Sequence, residues 1–92
     1  MPVTQDQIDR AVAVARRYGA RRVLLFGSAL DDPTTARDLD LAVEGVDGWE
    51  FFGMAAEMER EAEVVLDVIS LDKDDWFTQR VRERGRPLYE RS

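Results

Sequence analysis

The sequence contains neither cysteine nor histidine, and none of its apolar runs approaches the length needed to cross a membrane. Each absence removes a class of function. Without cysteine there is no disulfide and no thiolate chemistry, which fits a reducing cytoplasm. Without histidine the usual general base and the commonest zinc ligand are gone, so any catalysis falls to carboxylates and an oxygen-preferring metal. No stretch resembles a signal peptide. Positive charge is also short. Thirteen Lys and Arg against 19 Asp and Glu leave a formal net charge of −6, which argues against long nucleic acid as a partner.

What remains is an ordinary globular composition, 45% hydrophobic and 35% charged over 92 residues. A single domain spanning residues 1–92 is expected, burying about 60–70% of its unfolded surface. That length leaves no room for the extra domains with which a polymerase grips template and primer. Whatever the chain modifies or binds must be presented by something else.

Thr4-Gln5-Asp6-Gln7 reads as a helix start, with Thr4 as N-cap and Gln7 closing a capping box. Ile8, Ala11, Val12, Ala15 and Tyr18 then recur at helical spacing, and Gly19 is a natural stop. Arg22 to Phe26 is an apolar run closed by glycine and predicts a buried central strand. Residues 29–37 read as a turn or short helix followed by a loop. A second strand is expected over Leu39 to Glu44. It precedes a helix over Trp49 to Ala62 whose Phe51, Met54, Ala55, Met58 and Ala62 share one core-facing side. Val64 to Ile69 predicts a third strand. Asp72 to Asp75 are expected to cap a last helix over 73–84, with Phe77 and Val81 inward, and Gly85 and Pro87 end it. The pattern predicts an α/β (α+β) fold with a small mixed sheet, three-stranded or slightly larger, flanked by helices. It does not fix strand order.

Two stretches carry chemistry. Strand alternation places Asp38 and Asp40 on one face, with Leu39, Leu41 and Val43 on the other. Paired carboxylates on a buried strand repel each other and resist desolvation. A divalent cation between them relieves both costs, and Mg²⁺ takes oxygen ligands of this kind. Gly27-Ser28, just past the preceding strand, can offer backbone N–H groups and a hydroxyl to a phosphate. Together they describe a site for a metal-bound nucleoside triphosphate. Either element alone is common, and Ser28 also reads as plain turn chemistry. The conjunction is more specific, and it gains from Asp67, which interrupts an otherwise apolar run. By itself Asp67 reads equally as a strand-end residue facing water.

Leu25-Phe26-Gly27-Ser28, a spacer, then Asp38-Leu39-Asp40-Leu41-Ala42-Val43 resembles the signature of the minimal nucleotidyltransferases. These belong to the DNA polymerase β superfamily, and many are antitoxins paired with a HEPN-domain toxin. The resemblance extends from Val23 to Tyr89 and implies the polymerase β-like nucleotidyltransferase fold. Many members follow Gly-Ser with Arg-Ala-Arg-Gly and carry Ser before the first aspartate; here Ala29-Leu30-Asp31-Asp32 and Arg37 stand there. The resemblance implies transfer of AMP from ATP to a tyrosine hydroxyl of the toxin. Asp38, Asp40 and Asp67 would be catalytic residues and Mg²⁺ ligands, with Asp67 also orienting or deprotonating the hydroxyl. Gly27 and Ser28 would meet the phosphates. Two rival functions are a catalytically weak antitoxin that acts by occlusion and a nucleotidyltransferase acting on a small molecule of the aminoglycoside type. A homo- or hetero-oligomer is compatible with any of these.

The C-terminal stretch concentrates Arg80, Arg82, Arg84, Arg86 and Arg91. Its plain reading is a solvated helix end in which basic residues complement the helix dipole. Its sharper reading is a docking surface for a protein partner, with Tyr89 taking part.

Overall fold

The computed structural model describes residues 2–32 and 34–91; Pro33, inside the expected turn, lies outside them. Four helices and four strands alternate along the chain: α1 (Gln5–Arg17), β1 (Arg22–Phe26), α2 (Ser28–Asp31), β2 (Asp38–Glu44), α3 (Gly48–Ala62), β3 (Val65–Ser70), α4 (Trp76–Arg84) and β4 (Arg86–Glu90). The strands form one mixed sheet in the order β3-β2-β1-β4. Strand β1 runs antiparallel to both β2 and β4, whereas β2 and β3 are parallel. A parallel pair needs a crossover, and α3 supplies it.

The sheet has two unequal covers. On one face Val23, Leu25, Leu39, Leu41 and Val43 pack with residues of α1 and α3, among them Val14, Met54 and Met58, which are fully buried. On the other, Leu24 and Ala42 meet Leu71 and Val81, with Phe26 and Ile69 at the margin. Apolar side chains on both faces explain why β1 is central. Burying a Leu or Val fully is worth about 1.5–3 kcal/mol, so most of the hydrophobic stabilisation lies on the α1/α3 side and α4 is held by a smaller cluster.

Local signals account for much of the framework. The capping box of α1 forms as expected: Thr4 Oγ1 accepts from the Gln7 amide at 3.1 Å, and Gln7 Oε1 accepts from the Thr4 amide at 2.9 Å. Val14 enters the core completely while Val12 is only half-buried, because α1 faces both the sheet and α3 and its apolar arc is wider than the predicted stripe.

Two expectations near the C-terminal end are corrected. Helix α4 begins at Trp76, and its cap is Asp75, whose Oδ1 accepts from the Thr78 amide at 2.7 Å. Asp72 instead receives the Gly45 amide at 3.0 Å and pairs with Arg21 at 3.5 Å. Phe77 is 48% exposed, meeting Phe26 edge-to-face, and Thr78 is buried beside Val81. The chain after α4 is a fourth strand. Gly85 makes that sharp exit possible, since a Cβ there would lie 2.7 Å from the Val81 carbonyl oxygen and 3.3 Å from Leu24 Cβ. Pro87 is tolerated because β4 is an edge strand.

The capping assignment is testable. Asp75→Ala should lower Tm by a few degrees, whereas Asp72→Asn should leave it nearly unchanged, because its pair with Arg21 is exposed to water. Thermal melts monitored by far-UV circular dichroism decide between them, and the reverse order would reject the assignment.

Candidate active site

Asp38 and Asp40 leave β2 on the face that α4 covers, opposite the buried Leu39 and Leu41. The parallel register pairs Asp40 with Asp67, so the two residues stand side by side on adjacent strands, whose backbones are about 4.8 Å apart. The antiparallel register pairs Asp40 with Phe26 on the other side. Phe26, Asp40 and Asp67 therefore form one row across three strands. Asp67 is exposed to water but stands beside Asp40 in the middle of β3, not at a strand end.

Because Phe26 ends β1, the next residue falls directly against Asp40. Gly27 adopts φ +76°, in the region that L side chains rarely enter, and a Cβ there would overlap Asp40 Oδ2. The carboxylate thus occupies the space that a side chain at position 27 would fill. Glycine is needed here to admit Asp40, a requirement separate from any approach to phosphate. Ser28 opens α2 with its side chain exposed and forms no side-chain hydrogen bond among the described residues.

The electrostatics follow from this crowding. Burial pushes the Asp40 carboxyl above the ordinary carboxylate range, and the charges of Asp67 and then Asp38 push in the same direction, with the Ser28 backbone amide opposing them. The donor set is the oxygen-only set that Mg²⁺ takes, and Asp40 carries the charge strain that a cation would relieve. As placed, no three acidic side chains among the described residues converge into a ready-made metal cage. The residues fit the ion in kind and register, and binding would require the side chains to turn inward.

Among the described residues, two of the cavities lie against the sheet. The larger, about 440 Å³, is lined by Phe51 and Phe52 of α3 and Phe77 and Thr78 of α4, and contains none of the three aspartates. The smaller, about 250 Å³, opens against Gly27 and is walled by Leu30, Arg80 and Arg84. The C-terminal arginines do not form one patch. Arg82 turns to Glu44 and to the Leu71 carbonyl, Arg91 to the Gly19 carbonyl, and Arg16 lies over Tyr89, its guanidinium carbon 4.9 Å from the ring centre. Arg80 and Arg84 are four residues apart and share a helical face. The sequence did not show that this face turns toward Gly27, which depends on how α4 crosses β1.

No family model matches the chain, and no curated protein does. Solved structures do. A chain of a toxin–antitoxin complex with AMP-PNP superposes with a TM-score of 0.74 at 21% identity, over 91% of this chain and 73% of that one. A chain of the MntA-HepT toxin–antitoxin complex gives 0.72 at 18% identity, over 96% and 74%. A chain from the complex of tri-AMPylated Shewanella oneidensis HEPN toxin with MNT antitoxin gives 0.72 at 19% identity, over 95% and 72%. The fold is the minimal nucleotidyltransferase fold. Within a minimal nucleotidyltransferase fold, the row Phe26–Asp40–Asp67 and the Gly27 turn are this chain's own features, observed independently of the likeness.

Two variants test the crowding around Asp40. Its carboxyl is raised in the folded state, so its ionisation opposes folding; the penalty is full above the folded pKa and disappears as pH falls through it. Asp40→Asn should therefore raise Tm by a few degrees at pH 7 and by progressively less toward pH 4, read from melts across that range. Gly27→Ala should cost about 1–3 kcal/mol through its backbone conformation, with the overlap on Asp40 added. A Gly27→Ala protein as stable as the parent in urea would reject this account of the turn.

Proposed function

We propose that the chain is a minimal nucleotidyltransferase that moves AMP from Mg-ATP to a hydroxyl, a tyrosine of a HEPN-type toxin, and so serves as the antitoxin of that pair in the cytoplasm. The observation that carries the proposal is the in-register row of Asp40 and Asp67 with Asp38 beside it, set against the Gly27 turn. The fold likeness supports it, since the similar structures include an AMP-PNP complex and an AMPylated HEPN toxin. Among the described residues no helix is long and apolar enough to cross a membrane.

In this reading Asp38, Asp40 and Asp67 hold Mg²⁺, which when bound neutralises charge on the phosphates. Gly27 keeps the chain low where the phosphates lie, and the free Ser28 hydroxyl donates to one of them. The acceptor oxygen forms a bond to the α-phosphorus, the bond from that phosphorus to the bridging oxygen breaks, and pyrophosphate leaves with the electron pair. Asp67, exposed at the edge of the row, receives the proton of the incoming hydroxyl. A second reading, an antitoxin acting by occlusion alone, is favoured by one observation: α2 and the residue after it carry Asp31 and Asp32 and no basic side chain.

Incubating the purified chain with ATP, Mg²⁺ and the product of the adjacent gene separates the two. Intact-mass measurement should show one AMP unit added to the partner for each modified hydroxyl. Asp38→Asn and Asp40→Asn should each lower the rate at least a hundredfold while the proteins remain folded. A stable complex that never gains this mass would leave occlusion as the function.

A further inference from the structure

The cavity beside Gly27 draws its positive charge from α4. Its walls come from the end of β1 and from α2 on one side, and from Arg80, Val81 and Arg84 on the other. Arg80 and Arg84 lie one turn apart on the same helical face and are exposed. Among the described residues neither forms a salt bridge, in contrast to Arg82 between them, which is committed to Glu44. Arg80 lies 5.6 Å from the centre of the Trp76 ring, a contact that steadies a guanidinium without cancelling its charge. Asp31 is the one acid on the cavity wall, and it lies beyond ion-pair distance of both arginines. The result is two uncommitted guanidinium groups around a concavity that reaches the Gly27 backbone, itself packed against Asp40.

We propose that Arg80 and Arg84 form the seat for the β- and γ-phosphates of the nucleotide, and so hold the pyrophosphate group as it leaves. The proposal rests on the nucleotidyl-transfer reading. Planar guanidinium forks match phosphate oxygens in pairs, and negative charge grows on the pyrophosphate as its bond to the α-phosphorus breaks. The seat therefore distinguishes a triphosphate from AMP: the arginines grip the part of the nucleotide that AMP lacks. The position of the cavity, against Gly27 and one residue from the Phe26–Asp40 pair, places that grip next to the carboxylate row.

The test is calorimetric titration of the full chain with ATP, AMP and inorganic tripolyphosphate in the presence of Mg²⁺. Three variants are compared with the parent, Arg80→Gln/Arg84→Gln, Arg84→Gln and Arg84→Lys, each with its Tm recorded. The double variant should lose at least about tenfold in affinity for ATP and for tripolyphosphate and bind AMP as the parent does. Arg84→Gln should show part of this loss even if the double variant fails to fold, and Arg84→Lys should recover some of it. Unchanged ATP affinity in folded Arg84→Gln and in the double variant overturns the seat while leaving nucleotidyl transfer intact. Lost partner co-purification with unchanged ATP affinity also overturns it and assigns the pair to docking. If the parent binds ATP and tripolyphosphate through the arginines yet never transfers AMP, the seat stands and the transfer reading falls. A parent that binds neither compound overturns both.

Discussion

A carboxylate fixed in a sheet row, with a second carboxylate on the next strand and a glycine backbone pressed against its oxygen, is an arrangement that hydrophobic packing alone would not select. Asp40 is in that position. Its proton affinity is raised by burial and by two neighbouring negative charges, so it withdraws stability from the domain at neutral pH. Replacing it would relieve that cost, and the φ of Gly27 and the start of α2 would lose their reason. The geometry of β1's end, the turn and the first half of β2 follows from accommodating this one side chain.

The rest of the fold compensates and aims. The α1/α3 face supplies the larger buried core, so the smaller face can spend positions on charge. At the far end of β2, Glu44 gathers Arg21, Arg22 and Arg82. Burial raises its carboxyl, but hydrogen bonding to Arg82 and the charges of all three arginines outweigh that and hold it below its ordinary value. Arg82 also reaches the Leu71 carbonyl, so α4 is tied to the sheet on one flank while Val81 is buried beneath it. With those two residues fixed, the helical period leaves Arg80 and Arg84 facing the Gly27 side. A site on one half of the sheet is thus oriented from the other half.

Much of this was legible in the sequence because it is local. Thr4 and Gln7 carry their capping box within four residues, Arg22–Phe26 declares a central strand by being apolar on both faces, and strand alternation alone puts Asp38 and Asp40 together. What was not legible depends on pairing between distant segments. The strand Arg86–Glu90 contains a proline and no marked alternation, and it becomes a strand by pairing with β1. The choice of Asp75 over Asp72 as helix cap turned on whether the Gly45 amide would claim the other carboxylate. Likewise the sequence could show Asp67 inside an apolar run, but only the β2–β3 register places it beside Asp40.

The strand order has a bearing on solubility as well. With β3 and β4 at its margins the sheet has two open edges, each offering unpaired backbone groups to any strand that meets them. On β4, Pro87 withholds an amide and the register shifts at Val23/Leu24, which makes that edge a poor template. On β3, Val65 is 68% exposed, and the feature that spoils the template is the charge of Asp67 in mid-strand. A charge at this position disfavours edge-to-edge pairing. An apolar replacement at this position would uncover a sticky edge, so a loss of soluble protein in such a variant would reflect sheet topology.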